Sequence, residues 1–165
     1  MSFTPKAIHQ FHGGSGVGDA ITNGLFYTRE LLRGLGFRSE IYCVDVAAEL
    51  AGEIHGAPTF VDDPDIVLLV HFSWAIIYDR WLARLKCRKA LVYHNITPEE
   101  FFDDDRFNAT AQLSRRQLIG LRPSMQAALA QSDYSARELE RLGFSPVDVQ
   151  PLLFDPAGWR RAIRS

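Results

Sequence analysis

The chain is poor in cysteine, in unbroken apolar runs and in surplus charge, and each shortage removes a class of protein. Two cysteines, Cys43 and Cys87, are too few for a disulfide-stapled scaffold or a cysteine-based zinc module. Both sit in or beside apolar runs and read as free buried thiols in a reducing compartment. The longest apolar block, Ile66 to Val70, is stopped by His71, far short of the roughly 18 apolar residues a membrane span needs. The first residues carry no basic segment followed by a long apolar one, so no secretory signal is read and a cytoplasmic location is expected. Lys and Arg number 18 against 20 Asp and Glu, a net charge of −2, which supplies none of the broad positive field that non-specific nucleic-acid binding uses. Internal repeats and low-complexity linkers are lacking as well.

What is present is the composition of an ordinary globular domain: 165 residues, 47% hydrophobic and 23% charged. A chain of this length supports one sizeable core, so one domain is expected. Ala7 to Phe11 reads as a strand running into His12-Gly13-Gly14-Ser15-Gly16-Val17-Gly18, where four glycines in six positions allow a tight turn or the close approach of a ligand. Asp19 can cap a helix over about 19–34, whose apolar residues Ile21, Leu25, Leu31 and Leu35 recur at helical spacing before Gly34 and Gly36. Arg38 to Val44 alternates as a second strand. Asp65 to His71 and Lys89 to His94 are continuous apolar runs, the pattern of strands buried on both faces in a parallel sheet. Helices are expected over Trp74 to Leu85, from Phe107 to an interruption near Pro123, and over Tyr134 to Leu142, closed by Gly143. Ala127 to Ser132 and Val147 to Val149 complete the strands. Strands alternating with helices in this way predict a Rossmann-like, doubly wound α/β domain, mainly parallel, with helices on both faces.

In such sheets the ligand sits beyond the carboxyl ends of the strands. Three elements fall there: the loop Gly13 to Gly18, His71, and His94 with Asn95. Backbone N–H groups of the loop and of the following helix start favour phosphate as the guest, so Gly14, Ser15, Gly16 and Gly18 are candidate binding positions. A P-loop is excluded, because Asp19 and Ala20 stand where Lys and Ser or Thr are needed. A dinucleotide fingerprint keeps Gly14 and Gly16 but meets Asp19 at its third glycine, and Asp45 would be its ribose partner. His94 ends a strand where a neutral imidazole can donate or accept a hydrogen bond, and His71 occupies the same place on its own strand, though more of its neighbours are apolar. His9 and His12 lack paired-ligand spacing, so no metal site is read. The segment Glu99 to Asp105 lacks the alternation and glycine turn of a calcium loop and reads as a solvated loop whose two Phe residues pack down. No nucleophile elbow surrounds Ser15.

In order and separation, three segments resemble the N-terminal half of the GT-B glycosyltransferases, in particular the retaining, nucleotide-sugar-dependent enzymes of glycosyltransferase group 1, or family 4-like. They are Gly13-Gly14-Ser15-Gly16-Val17-Gly18-Asp19-Ala20, Tyr93-His94-Asn95-Ile96-Thr97-Pro98, and Ser132-Asp133-Tyr134-Ser135 with Glu138-Leu139 and Leu142-Gly143-Phe144. The resemblance spans about residues 7 to 155. It implies transfer of a hexose from a nucleotide diphosphate sugar to an acceptor hydroxyl, without any other cofactor. Gly14 and Gly16 would face the donor phosphates and His94 would lie near the transferred sugar, in the catalytic crevice, without being a general base. Asp19, Asn23 and the segment after His94 would contact the acceptor, a carbohydrate or other hydroxyl compound. The resemblance also implies a partner: a C-terminal, donor-gripping domain with a Glu-x7-Glu pair that no two glutamates of this chain match. Residues 1–155 would then be the N-terminal domain, and 156–165, with Arg160, Arg161 and Arg164 around Trp159, the start of a linker or tail. The face left for the absent domain is expected to drive self-association, and the full-length protein could be peripheral to a membrane. Two other classes stay open: a solitary Rossmann-like module that binds a nucleotide or phosphorylated ligand, and an NAD-dependent oxidoreductase.

Overall fold

A computed structural model describes residues 3–98, 101 and 103–153. Its centre is a seven-stranded parallel sheet: β1 (Ala7–Gly14), β2 (Ile41–Asp45), β3 (His55–Gly56), β4 (Ile66–Phe72), β5 (Arg88–Tyr93), β6 (Ala127–Ala130) and β7 (Val147–Val149), in spatial order β3-β2-β1-β4-β5-β6-β7. Four helices connect them: α1 (Ala20–Gly34), α2 (Asp79–Arg84), α3 (Asp105–Leu121) and α4 (Asp133–Arg141). The Rossmann-like α/β class expected from the pattern is the fold observed.

Local chemistry sets the helix starts. The Asp19 carboxylate accepts from Thr22 N at the head of α1, Asp104 from Arg106 N at α3, and the Ser132 hydroxyl from Ser135 N at α4. Gly143 ends α4 at φ 83°, a backbone that strains any residue with a Cβ, and a Cβ there would also lie 2.9 Å from the Arg122 guanidinium.

Several boundaries differ from the sequence pattern, for visible reasons. The helix expected over Trp74 to Leu85 begins only at Asp79, because the Gln117 side chain of α3 claims the Ile76 backbone, accepting from its N at 2.8 Å and donating to its O at 2.8 Å. The second strand starts at Ile41 and not at Arg38, since Glu40 gives its N–H to the His9 ring. β1 runs on through Gly13 and Gly14, which are strand residues: Gly14 pairs with Asp45 of β2. The short edge strand β3 has no periodic signal. Phe101, expected to pack down, is 72% exposed. The tail 154–165 lies outside the described residues.

The strand order reverses between β1 and β4. From β1 the chain moves outward through α1 to β2 and β3; from β4 it moves the other way through β5, β6 and β7. Right-handed crossovers therefore place α1 on one face and α2, α3 and α4 on the other. The second face is closed by a continuous core in which Phe11, Leu68, Val70, Phe72, Leu91 and Tyr93 of the strands meet Leu82 of α2, Leu118 of α3 and Leu139 of α4. The first face has a smaller core of Leu25, Ile41, Cys43 and Ile54 under α1. Gln10 of β1 donates to Leu25 O of α1 at 2.9 Å across that layer.

Candidate functional site

In an open α/β sheet the crevice opens at the carboxyl edge where the strand order reverses. Here that point lies between β1 and β4, and the carboxyl edge beside it gathers His12, Gly13 and Gly14 from the end of β1, His71 from β4, and Ser73, His94 and Gln131 from the first positions after β4, β5 and β6. The side-chain alternation of parallel neighbours puts His12, His71, His94 and Gln131 on the α1 side of the sheet.

The polar groups form a row. His71 Nδ1 and His94 Nε2 are 2.9 Å apart, with the two rings edge to edge, their planes 21° and their centroids 5.1 Å apart. His94 Nδ1 lies 2.6 Å from Gln131 Nε2. The His12 ring stands 6.4 Å from that of His94, and its Nε2 is 3.4 Å from Ser73 Oγ. Burial pushes the basicity of all three imidazoles down. His94 falls to about 4, through desolvation first and then His12, with Asp19 opposing; His71 is well below its ordinary value, through desolvation, His94 and His12. His12 is lowered by desolvation, against the Gly14 carbonyl and Asp19. The row is neutral at pH 7 and offers hydrogen bonds, not positive charge.

A proton count fixes the roles. With Gln131 donating its amide N–H, His94 Nδ1 accepts, so His94 Nε2 carries the proton and donates to His71 Nδ1; the His71 proton is then on Nε2. That atom is buried, and it has no hydrogen-bond partner among the described residues. Both His94 nitrogens are taken within the protein, which agrees with a positioning part and not with a free base.

Asn95 follows His94 at φ 69°, a left-handed backbone that Asn tolerates better than other side chains with a Cβ, and it turns the chain sharply off β5. The turn is pinned from the closed face: Tyr93 Oη donates to Glu138 Oε2 at 2.8 Å and accepts from Ile96 N at 3.1 Å.

The glycine loop is held mainly by its own side chains. Thr22 Oγ1 accepts from Gly16 N at 3.1 Å and donates to Asp19 Oδ2 at 2.9 Å. Ser15 anchors the loop to the end of β2: its N donates to Asp45 O at 2.9 Å, and its hydroxyl accepts from Ala47 N at 3.1 Å. Gly14 O accepts from the His12 ring at 2.6 Å. Of the four loop positions named as phosphate contacts, Ser15 and Gly16 thus have their donors engaged, and Gly14 belongs to the sheet. Gly18, at φ 79°, is the one whose backbone demands glycine; Gly16 has an ordinary φ, and a Cβ there would sit 3.7 Å from that of Asp19. The first helical N–H groups, Ala20 and Ile21, lack intrahelical acceptors by geometry. Asn23 is exposed one turn into α1.

Gln131, Thr22 and Ser73 escape motif reasoning, and the bond between Tyr93 and Glu138 joins two of the segments that carry the resemblance. Gln131 had a signal: it stands one residue past β6 as His94 stands one past β5, so aligning strand ends brings them together. Among the described residues no cluster of three or more His, Cys, Asp or Glu side chains is placed to hold a metal ion, and no helix is long and apolar enough to cross a membrane. Cys43 and Cys87 are free and buried, their thiols pushed up by burial to about 12 and about 11.

Fold and site together define a Rossmann-like α/β domain with a neutral histidine row at its switch point. No protein-family model matches the chain, and no curated protein sequence matches it.

Proposed function

We propose that the chain is the acceptor-side, N-terminal domain of a GT-B sugar transferase that moves a hexose from a nucleotide diphosphate sugar to a hydroxyl. One observation supports the reading: the ring of His12, which leads into the glycine loop, stands 6.4 Å from the ring of His94. The end of the first strand and the end of the fifth, which carry two of the three segments of the resemblance, thus approach each other at the carboxyl edge of the sheet. Ser15 and Gly16 have their N–H groups engaged, so on this reading the loop's contact with the donor phosphates would fall to Gly18 and to the first N–H groups of α1. His94, neutral and fixed at both nitrogens, would orient a sugar or acceptor by contact.

The test is a transfer assay on the complete polypeptide to which this sequence belongs, with uridine, guanosine and adenosine diphosphate sugars. His94→Ala should cut turnover at least tenfold as well as lower the unfolding midpoint, since it leaves His71 and Gln131 without their partner; normal turnover with lost stability would make His94 a structural residue. The 165-residue chain alone should bind these sugars with a dissociation constant on the order of millimolar or weaker. Micromolar binding with sugar turnover by this chain would refute the division into halves, and micromolar binding without turnover would favour a solitary binding module.

A further inference from the structure

At the carboxyl edge of the sheet, His12 and Ser73 stand apart from the bonded row of His71, His94 and Gln131. The His12 ring is tied to its own strand end: with Nδ1 only 2.6 Å from Gly14 O, the proton sits on Nδ1 and is given to that carbonyl. Nε2 is left as an acceptor, and the group before it is the Ser73 hydroxyl, 3.4 Å away, one residue past β4. A hydroxyl, an imidazole that can take its proton and a third group that fixes the imidazole tautomer are the parts of an activated nucleophile, and such pairs tighten when substrate binds. Both residues are half-buried, so the pair is reachable from solvent. They share the wall of a cavity of about 320 Å³ with Gly13, Gly14, Val44 and Ile76, and no Lys, Arg, Asp or Glu lines it. The backbone N–H groups of Ser73 and Ala75 have no hydrogen-bond acceptor among the described residues. They are donors next to the hydroxyl, available to an oxygen that gains charge.

We propose that Ser73 is a nucleophile with His12 as its general base, and that the pair hydrolyses neutral esters of short apolar acyl groups. As Ser73 Oγ bonds to the ester carbonyl carbon, its proton passes to His12 Nε2; the bond from that carbon to the alcohol oxygen breaks, and the alcohol leaves with the proton. Water then gives a proton to His12 Nε2 as its oxygen bonds to the acyl carbon, the bond to Ser73 breaks, and Oγ recovers the proton, leaving a carboxylic acid. The uncharged wall selects a neutral ester, since a charged one would lose its hydration there without compensation. Three titratable groups face His12. Asp19, at the head of α1, favours its protonated form and so supports the imidazolium of each step, while His94 and His71 are themselves held neutral by burial. The activity uses neither His94 nor a sugar donor and stands apart from the transferase reading.

An alkyl fluorophosphonate, which loses fluoride as a serine oxygen bonds to its phosphorus, reads the nucleophile, and p-nitrophenyl acetate reads turnover, both on the 165-residue chain. Peptide mass spectrometry should find the phosphonyl group on Ser73 of the folded chain and not of the chain unfolded in urea. Ser73→Ala should remove the label and the turnover, and His12→Gln should slow both about a hundredfold. Because desolvation lowers His12 from its ordinary 6.5, the labelling rate of the native chain should rise with pH and level off by about pH 7, which decides the matter if His12→Gln does not fold. A label on other residues only, a Ser73 labelling rate unmoved by His12→Gln, or a rate that keeps climbing with hydroxide to about pH 9 would overturn the proposal.

Discussion

The two faces of the sheet are built from equally apolar strands and end up differently covered. Toward α2, α3 and α4, Leu68, Val70, Phe72, Leu91 and Tyr93 are fully buried. Toward α1, their sequence neighbours Val67, Leu69 and Val92, with Leu129 of β6, are only half-buried. Hydrophobicity does not make the difference; the direction of the chain does. Every connection from β4 onward advances the same way across the sheet, so right-handed crossovers send its helices to one face, and α1 alone serves the other, over β1 and β2. The fully covered face supplies rigidity. The half-covered face holds a cavity of about 180 Å³ over Leu69, Val92 and Leu129, beside the histidine row, where a ligand still has somewhere to go.

The largest expected contrast is in packing. Leu68→Ala, in the closed core, should lower unfolding free energy in urea by about 2–5 kcal/mol, whereas Leu129→Ala on the open face should cost under about 1.5 kcal/mol. Equal losses would show that the open face is as tightly covered as the other and would erase the comparison.

Acid should find the open face next. For a histidine whose native value is depressed, the unfolded chain binds more protons between the two values, so stability rises with pH across that window. His94, ordinarily 6.5 and about 4 here, contributes stability that is fully present above 6.5 and is lost as pH falls toward 4. The loss from this residue should be on the order of 2–3 kcal/mol. Urea unfolding at pH 7 and pH 4.5 for the native chain and His94→Asn checks it; an unchanged pH dependence in the variant would mean that the row is not held neutral by burial.

The smallest effect sharpens how one face supports the other. Tyr93 lies in the closed core yet pins the turn after His94 through Glu138 and Ile96. Tyr93→Phe keeps the packing and removes the hydroxyl, leaving a buried N–H without its acceptor, at a cost of about 1–3 kcal/mol. The same variant should broaden or shift the His94 ring signals in NMR. Unaltered His94 signals would separate the two faces functionally.

Residue chemistry acting over short distances was legible in the sequence: the alternation of strands and helices, the caps at Asp19 and Ser132, the stop at Gly143, and the placement of the glycine loop, His71 and His94 at strand ends. Periodicity and capping depend on neighbours a few residues apart, so a linear pattern carries them. Tertiary structure alone decided the rest. Gln117 shortened α2 by taking the Ile76 backbone from 41 residues away, the His9 ring delayed β2, and Gln131 joined His94 and His71 across three strands. It likewise decided that β4, apolar on both sides, would be fully covered on one only. Hydrogen bonds between distant residues and the side a crossover takes depend on where the chain returns in space, and spacing along the sequence does not encode that return.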